Sequence, residues 1–228
     1  DRYISAYADL WPTDSGASFA ATMAKAISEA MATTTGRLLA TAKDFFGGLN
    51  PSVTMDDEGK PSINFDISRV NNSINLEDVL AVPAKVAARG KKNVVIVLDE
   101  FQQILEYDDD KIEPLLRSII QNQPDVSYLF LGSRKHVIRT MLLDQNCPLY
   151  RAGGHYPLHA IDVAHWTPFV EQRFAGAQKH ITAEQIGSVC HLTDGHPFYT
   201  QHLFHIIWEL CEPQTNVTEE LIKSAVEL

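Results

Sequence analysis

The sequence predicts an α/β fold, a parallel sheet between helices followed by a small helical lid. Three observations carry that prediction. Val94–Leu98 is an unbroken apolar run, largely β-branched, too short for an ordinary helix, so it reads as a strand covered on both faces. A second apolar run, Ser127–Leu131, follows a helical stripe and again ends in small polar residues. Beyond Val163 the alternation of strands and helices gives way to helices alone. The boundary is placed near Asp162, dividing the chain into 1–162 and 163–228.

Taken in order, Arg2–Ala6 reads as a first strand, leading into turn residues Trp11–Gly16. Asp14 or Ser15 can cap the helix Ala17–Met31, whose Phe19, Met23, Ala26 and Ile27 recur at helical spacing. A second helical piece covers Arg37–Phe46. Ser52–Met55 and Ser62–Ile67 flank the acidic turn Asp56–Lys60 and predict a hairpin. Arg69–Asn75 reads as a polar linker. Leu76–Arg89 predicts a helix with a kink or late start at Pro83 and a stop at Gly90. After Val94–Leu98, the helix Lys111–Asn122 carries the stripe Ile112, Leu115, Leu116, Ile119 and Ile120. Val137–Leu143 is helical, and Tyr156–Leu158 reads as a short last strand. Helices are expected over Ala164–Arg173, Ala183–His191, Pro197–Leu210 and Thr218–Val226.

Composition narrows the function classes. With 228 residues, 45% hydrophobic and 21% charged, the chain can bury a sizeable core and is not a disordered type. A net charge of −10 argues against bulk electrostatic binding to nucleic acid or an anionic membrane. No apolar run is long enough to span a bilayer, and the first residues have neither the basic start nor the apolar core of a secretory signal. Cys147, Cys190 and Cys211 are odd in number and dispersed, which suits a reducing, cytoplasmic setting and gives neither a disulfide framework nor a zinc site.

The chemistry centres on Asp99 and Glu100, delivered directly by the apolar strand. In open α/β sheets, ligands sit beyond the carboxyl ends of the strands. An acidic pair there can divide its work, Asp99 holding a magnesium shell and Glu100 orienting or deprotonating the attacking water. The plain structural alternative is a strand ending in a solvated acidic turn. Asp56–Glu58 and Asp108–Asp110 read as a solvated loop and a helix cap rather than metal clusters. His202 and His205 share a helix face at i, i+3, but no companion cysteine or acid falls at ligand spacing, so they read as packed or surface residues.

The run VIVLDEFQQI, followed by SYLFLGSR, CPLYRA and TDGHPFYTQHLFHIIWEL, resembles the archaeal-type ATPase family of STAND/AAA+-like P-loop NTPases. The resemblance spans the chain and is strongest over Asn93–Leu210. It implies ATP and Mg²⁺ as ligands and makes Asp99 and Glu100 the Walker B pair. It implies that Ser133 senses the terminal phosphate and that Arg134 or Arg151 supplies positive charge to it. Gly195-His196-Pro197 matches a GxP lid motif whose proline lies against the nucleotide base. Each has a structural alternative: Ser133 as a strand end, Arg151 as a surface or interdomain ion pair, Gly195 and Pro197 as a helix stop and start.

The sequence departs from the family in one respect. No GxxxxGK[ST] match, the phosphate-cradling loop, is present. The chain is therefore expected to begin just after that loop's strand and helix, leaving a gap in the sheet beside Ser127–Leu131 and Tyr156–Leu158. Two functions from different classes compete: an ATP-driven switch, and a catalytically inactive scaffold that contacts a protein partner. A helicase-like motor is a third, disfavoured by the acidic balance and the GxP motif. A winged-helix unit could begin at Thr218.

Overall fold

In a computed structural model, residues 3–32, 35–55, 59–65, 76–90 and 92–228 are described. The chain forms two compact units, Asp1–His155 and Tyr156–Leu228. The first runs β1 (Tyr3–Asp9), α1 (Gly16–Met31), α2 (Thr35–Phe46), β2 (Pro51–Met55), β3 (Pro61–Phe65), α3 (Leu76–Leu80), α4 (Val82–Gly90) and β4 (Asn93–Asp99). A 3-10 helix, Phe101–Glu106, then leads to α5 (Ile112–Gln121), β5 (Val126–Phe130) and α6 (Lys135–Leu143). The second unit holds α7 (Val163–Gly176), α8 (Ala183–Leu192), α9 (Pro197–Leu210) and α10 (Glu219–Glu227). The linker 69–75 and the acidic tip 56–58 lie outside the described residues.

The main sheet is parallel, in the order β1-β4-β5. This is the predicted α/β class. Ala6 and Ala8 of β1 and Val94, Ile96 and Leu98 of β4 fall on one face. They pack with Phe19, Met23 and Ile27 of α1, all at most 3% exposed. The opposite face differs from the expectation of two-sided cover. Val95 and Val97 are half-buried there. Register sets Tyr7 and Leu129 on either side of Val97, and these are 57% and 50% exposed. A β-branched run permits burial on both faces, but it does not show which faces neighbouring helices will cover.

Local chemistry explains the element ends. Ser15 is extended and caps α1: its Oγ accepts from the Ser18 amide at 3.3 Å and the Ser18 hydroxyl accepts from the Ser15 amide at 3.0 Å. Donation from the Ser18 and Ser15 hydroxyls holds the Asp14 carboxyl below the usual range. The helix expected over Leu76–Arg89 breaks at Ala81, and Pro83 lies in the first turn of α4, where its missing N–H costs least. β2 and β3 pair antiparallel as the predicted hairpin.

Tyr156–Leu158 is not a strand. It is irregular, with Tyr156 87% and Leu158 83% exposed. Pro157 cannot donate to a ladder, and three residues with no paired neighbour do not make a strand on propensity alone.

In the second unit, Trp166, Val170, Phe174, Ile186, Phe204 and Ile207 gather in one core. Asp162 caps α7 through the Ala164 amide at 2.8 Å, Thr182 and Gln185 form a capping box on α8, and Thr218 caps α10. Lys179 is buried with its ammonium 3.8 Å from the Trp208 ring centroid and donating to the Trp208 carbonyl, so its charge is paired with a π face and a backbone oxygen. No helix among the described residues is long and apolar enough to cross a membrane.

Candidate functional site

The site forms where β4 ends. Asp99 stands in register with Asp9 of β1, at the carboxyl edge of the sheet. Its Oδ2 accepts a 2.5 Å hydrogen bond from the Tyr7 phenol, and its Oδ1 accepts from the Glu100 amide at 2.8 Å. Glu100 then turns the chain through the left-handed region, at φ 49° and ψ 42°. A non-glycine residue held there costs on the order of 1–3 kcal/mol, and such strain clusters at functional sites. The next residues over-determine that turn: the Phe101 amide donates to the Leu131 carbonyl at 2.9 Å, and the Gln103 amide donates to the Glu100 carbonyl at 2.8 Å.

The same stitching brings the end of β5 alongside. The Leu131 amide donates to the Leu98 carbonyl at 2.9 Å, continuing the ladder one step past Phe130. This places the Ser133 hydroxyl 3.1 Å from Glu100 Oε2, to which it donates. The Gln102 side-chain amide donates to the same oxygen. Asp99, Glu100 and Ser133 therefore lie together, from two neighbouring parallel strands.

Arg134 is exposed and pairs with Glu106 at 3.0 Å, a surface contact worth roughly 0–1 kcal/mol. Arg151 has a positive φ of 55°, donates its amide to the Leu142 carbonyl, and lays its guanidinium 5.0 Å from the Tyr150 ring centroid. Among the described residues no side-chain hydrogen bond or ion pair joins Arg134 or Arg151 to Asp99, Glu100 or Ser133. Gly195, His196 and Pro197 belong to the second unit, where they join α8 to α9.

Gly195 has φ +62°, and its carbonyl accepts from the Ile161 amide at 3.2 Å. A Cβ there would stand 2.6 Å from the Ile161 carbonyl oxygen. Gly195→Ala is therefore expected to destabilise the second unit by about 1–3 kcal/mol, read as a lower urea midpoint. An unchanged midpoint would show that this turn relaxes freely. His196 occupies the N-cap position of α9 without a side-chain capping bond and Pro197 opens the helix, both exposed.

Sequence reading missed three parts of the site. Tyr7 is one, held by Asp99 across 92 residues. Donation to that carboxylate, reinforced by its charge, pushes the Tyr7 phenol up to about 12. Because the folded value lies above the ordinary one of about 10, this bond supports the fold below pH 10 and is lost as pH rises through 12. In an ultraviolet titration, Tyr7→Phe is expected to remove one of the late-ionising phenols; loss of an ordinary phenol instead would break the Tyr7–Asp99 assignment. Gln102 is the second. The third is the lock between Thr13 and the segment after β4: the Thr13 hydroxyl bonds the buried Tyr107 phenol at 2.5 Å, and Gln103 donates to the Thr13 carbonyl at 3.1 Å. Tyr7–Asp99 and Thr13 with Tyr107 and Gln103 carry no local pattern, since each joins segments 90 or more residues apart, while Gln102 meets Glu100 two residues away without a motif that marks it.

No group of three or more His, Cys, Asp or Glu among the described residues stands close enough to hold a metal ion alone. Magnesium does not need one: it keeps several waters and takes one or two carboxylates together with substrate phosphates. Each Asp99 oxygen accepts one hydrogen bond and keeps lone-pair capacity, which is the chemistry such a limited role asks of a carboxylate.

No family model matches the sequence, and no curated protein matches it. Solved structures do. The Walker-type ATPase PABY2304 of Pyrococcus abyssi is similar over 98% of this chain and 58% of its own, with 13% identity and a TM-score of 0.59. The likeness is one of fold, a P-loop NTPase-like parallel sheet with helices. The Aeropyrum pernix ORC2 protein, described in ADPNP–ADP complexes, is similar over 99% of this chain and 52% of its own, with 14% identity and a TM-score of 0.50. The chain thus spans between half and three-fifths of the length of these neighbours. The acidic pair at the end of β4 and the polar tip of β5 occupy the carboxyl edge of the sheet, the edge beyond which open α/β folds bind ligands.

Proposed function

We propose that this chain is the Walker B, sensor and lid portion of an ATP-binding and ATP-hydrolysing switch of the STAND/AAA+ type, related to the archaeal-type ATPases. The observation that supports this reading is the meeting of Asp99, Glu100 and Ser133 at the ends of adjacent parallel strands. Asp99 takes a place in the magnesium shell. Glu100 orients the attacking water, and Ser133 couples that carboxylate to the terminal phosphate. Arg134 or Arg151 contributes positive charge once nucleotide is bound. Gly195-His196-Pro197 presents the proline to the base from a lid of residues 163–228, moving against a core of residues 1–162. The protein works in the cytoplasm, with nucleotide rather than nucleic acid as the partner of this segment.

The sequence holds no glycine-rich lysine loop, and that favours a second reading, an NTPase-fold scaffold that contacts a protein partner without turnover. Magnesium-dependent ATP hydrolysis by the polypeptide carrying this chain separates the two. Turnover supports the switch; absence of both turnover and magnesium-dependent nucleotide binding overturns it.

A further inference from the structure

We propose that Gln102, seated in a space that Gly132 leaves open, fixes the orientation of the Glu100 carboxylate and is a positioning residue for the reaction. The inference rests on the role given to Glu100 above. Gln102 lies in the 3-10 helix after β4 and is 3% exposed. Its Nε2 donates to Glu100 Oε2. Its Oε1 is buried without a donor, which is costly for an amide. Reversing the amide would turn that oxygen on a carboxylate, so the chemistry sets its orientation.

Gly132 makes the seat. A Cβ on it would stand 2.2 Å from Gln102 Oε1 and 2.9 and 3.0 Å from Ile138 Cγ1 and Cδ1. Its φ lies outside the left-handed range, so glycine is required here for space rather than for backbone freedom. Ile138 is itself 8% exposed and packed in the core, so it gives little room. Glu100 already sits on a strained turn. Ser133 donates from an exposed position, where water competes for its hydroxyl, whereas Gln102 is buried. Both donors converge on Oε2, leaving Oε1 with no protein donor among the described residues. A carboxylate held by one oxygen presents the other to a water in a fixed direction.

The test uses the ATP-hydrolysing polypeptide that carries this chain, with MgATP as the probe. Gln102→Leu keeps the volume and removes the donor; Gly132→Ala keeps the amide and displaces it. Each is expected to lower kcat by about 10- to 100-fold with KM for MgATP nearly unchanged. Gln102→Leu added to Glu100→Gln is expected to cause no further loss, because the two act as a unit. Melting curves establish that the variants are folded, and Gly132→Ala carries the test where Gln102→Leu is not. A kcat within twofold of the parent in the folded variants, or losses that multiply independently, overturns the positioning role while the Glu100 assignment stands. Full turnover in Glu100→Gln would instead overturn the functional reading, and this inference with it.

Discussion

Glu100→Gln is expected to lower ATP turnover by about 10²- to 10⁴-fold, the range for loss of a positioned general base, with magnesium-nucleotide affinity largely kept. The amide retains a side-chain oxygen to accept from Ser133 and Gln102, so the geometry around Glu100 survives. What it loses is a negative oxygen able to take a proton. Asp99→Asn should differ in kind. Its one side-chain oxygen can still accept from the Glu100 amide, while its NH2 group replaces the acceptor that Tyr7 uses and weakens the magnesium shell, so affinity for MgATP falls along with turnover. Steady-state hydrolysis and nucleotide binding measured with and without magnesium distinguish the two variants. Parent-like turnover in Glu100→Gln would remove the acidic pair from the chemistry.

Phe101→Ala is expected to destabilise the first unit by about 3–5 kcal/mol, the usual cost of emptying an aromatic core site. Phe101 is 0% exposed and its ring centroid lies 4.3 Å from that of Phe130. It joins the turn after β4 to β5, and its amide is bonded to Leu131. The cost is a large share of a domain's net stability of roughly 5–15 kcal/mol. Phe101→Leu keeps most of the volume and should cost less. Urea unfolding followed by circular dichroism measures both, and a loss under about 1 kcal/mol in the alanine variant would place Phe101 outside the core.

Much of this architecture was legible in the residues. The apolar run before Asp99, the stripe of α5 and the change of character after Asp162 each follow from burial and periodicity, and each marks a real element. The meeting of Ser133 with Glu100 was legible too, because both follow apolar runs that end at the same sheet edge. What could not be read are contacts with no local signal. Gln102 resembles any polar residue in a turn until Gly132 is set beside it. The Arg134–Glu106 pair joins residues 28 apart, and no local pattern announces it. Tyr156–Leu158 has the composition of a strand, but a strand is a relation between two chain segments, and composition does not supply the neighbour. One-sided cover of β4 escaped for the same reason.

The open row formed by Tyr7, Val97 and Leu129 has a thermodynamic consequence. Water in contact with apolar and aromatic surface raises the heat capacity of the protein–solvent system. Any layer that settles on this row releases that water. Its arrival would be recorded in calorimetry as a drop in heat capacity, whichever molecule supplies it.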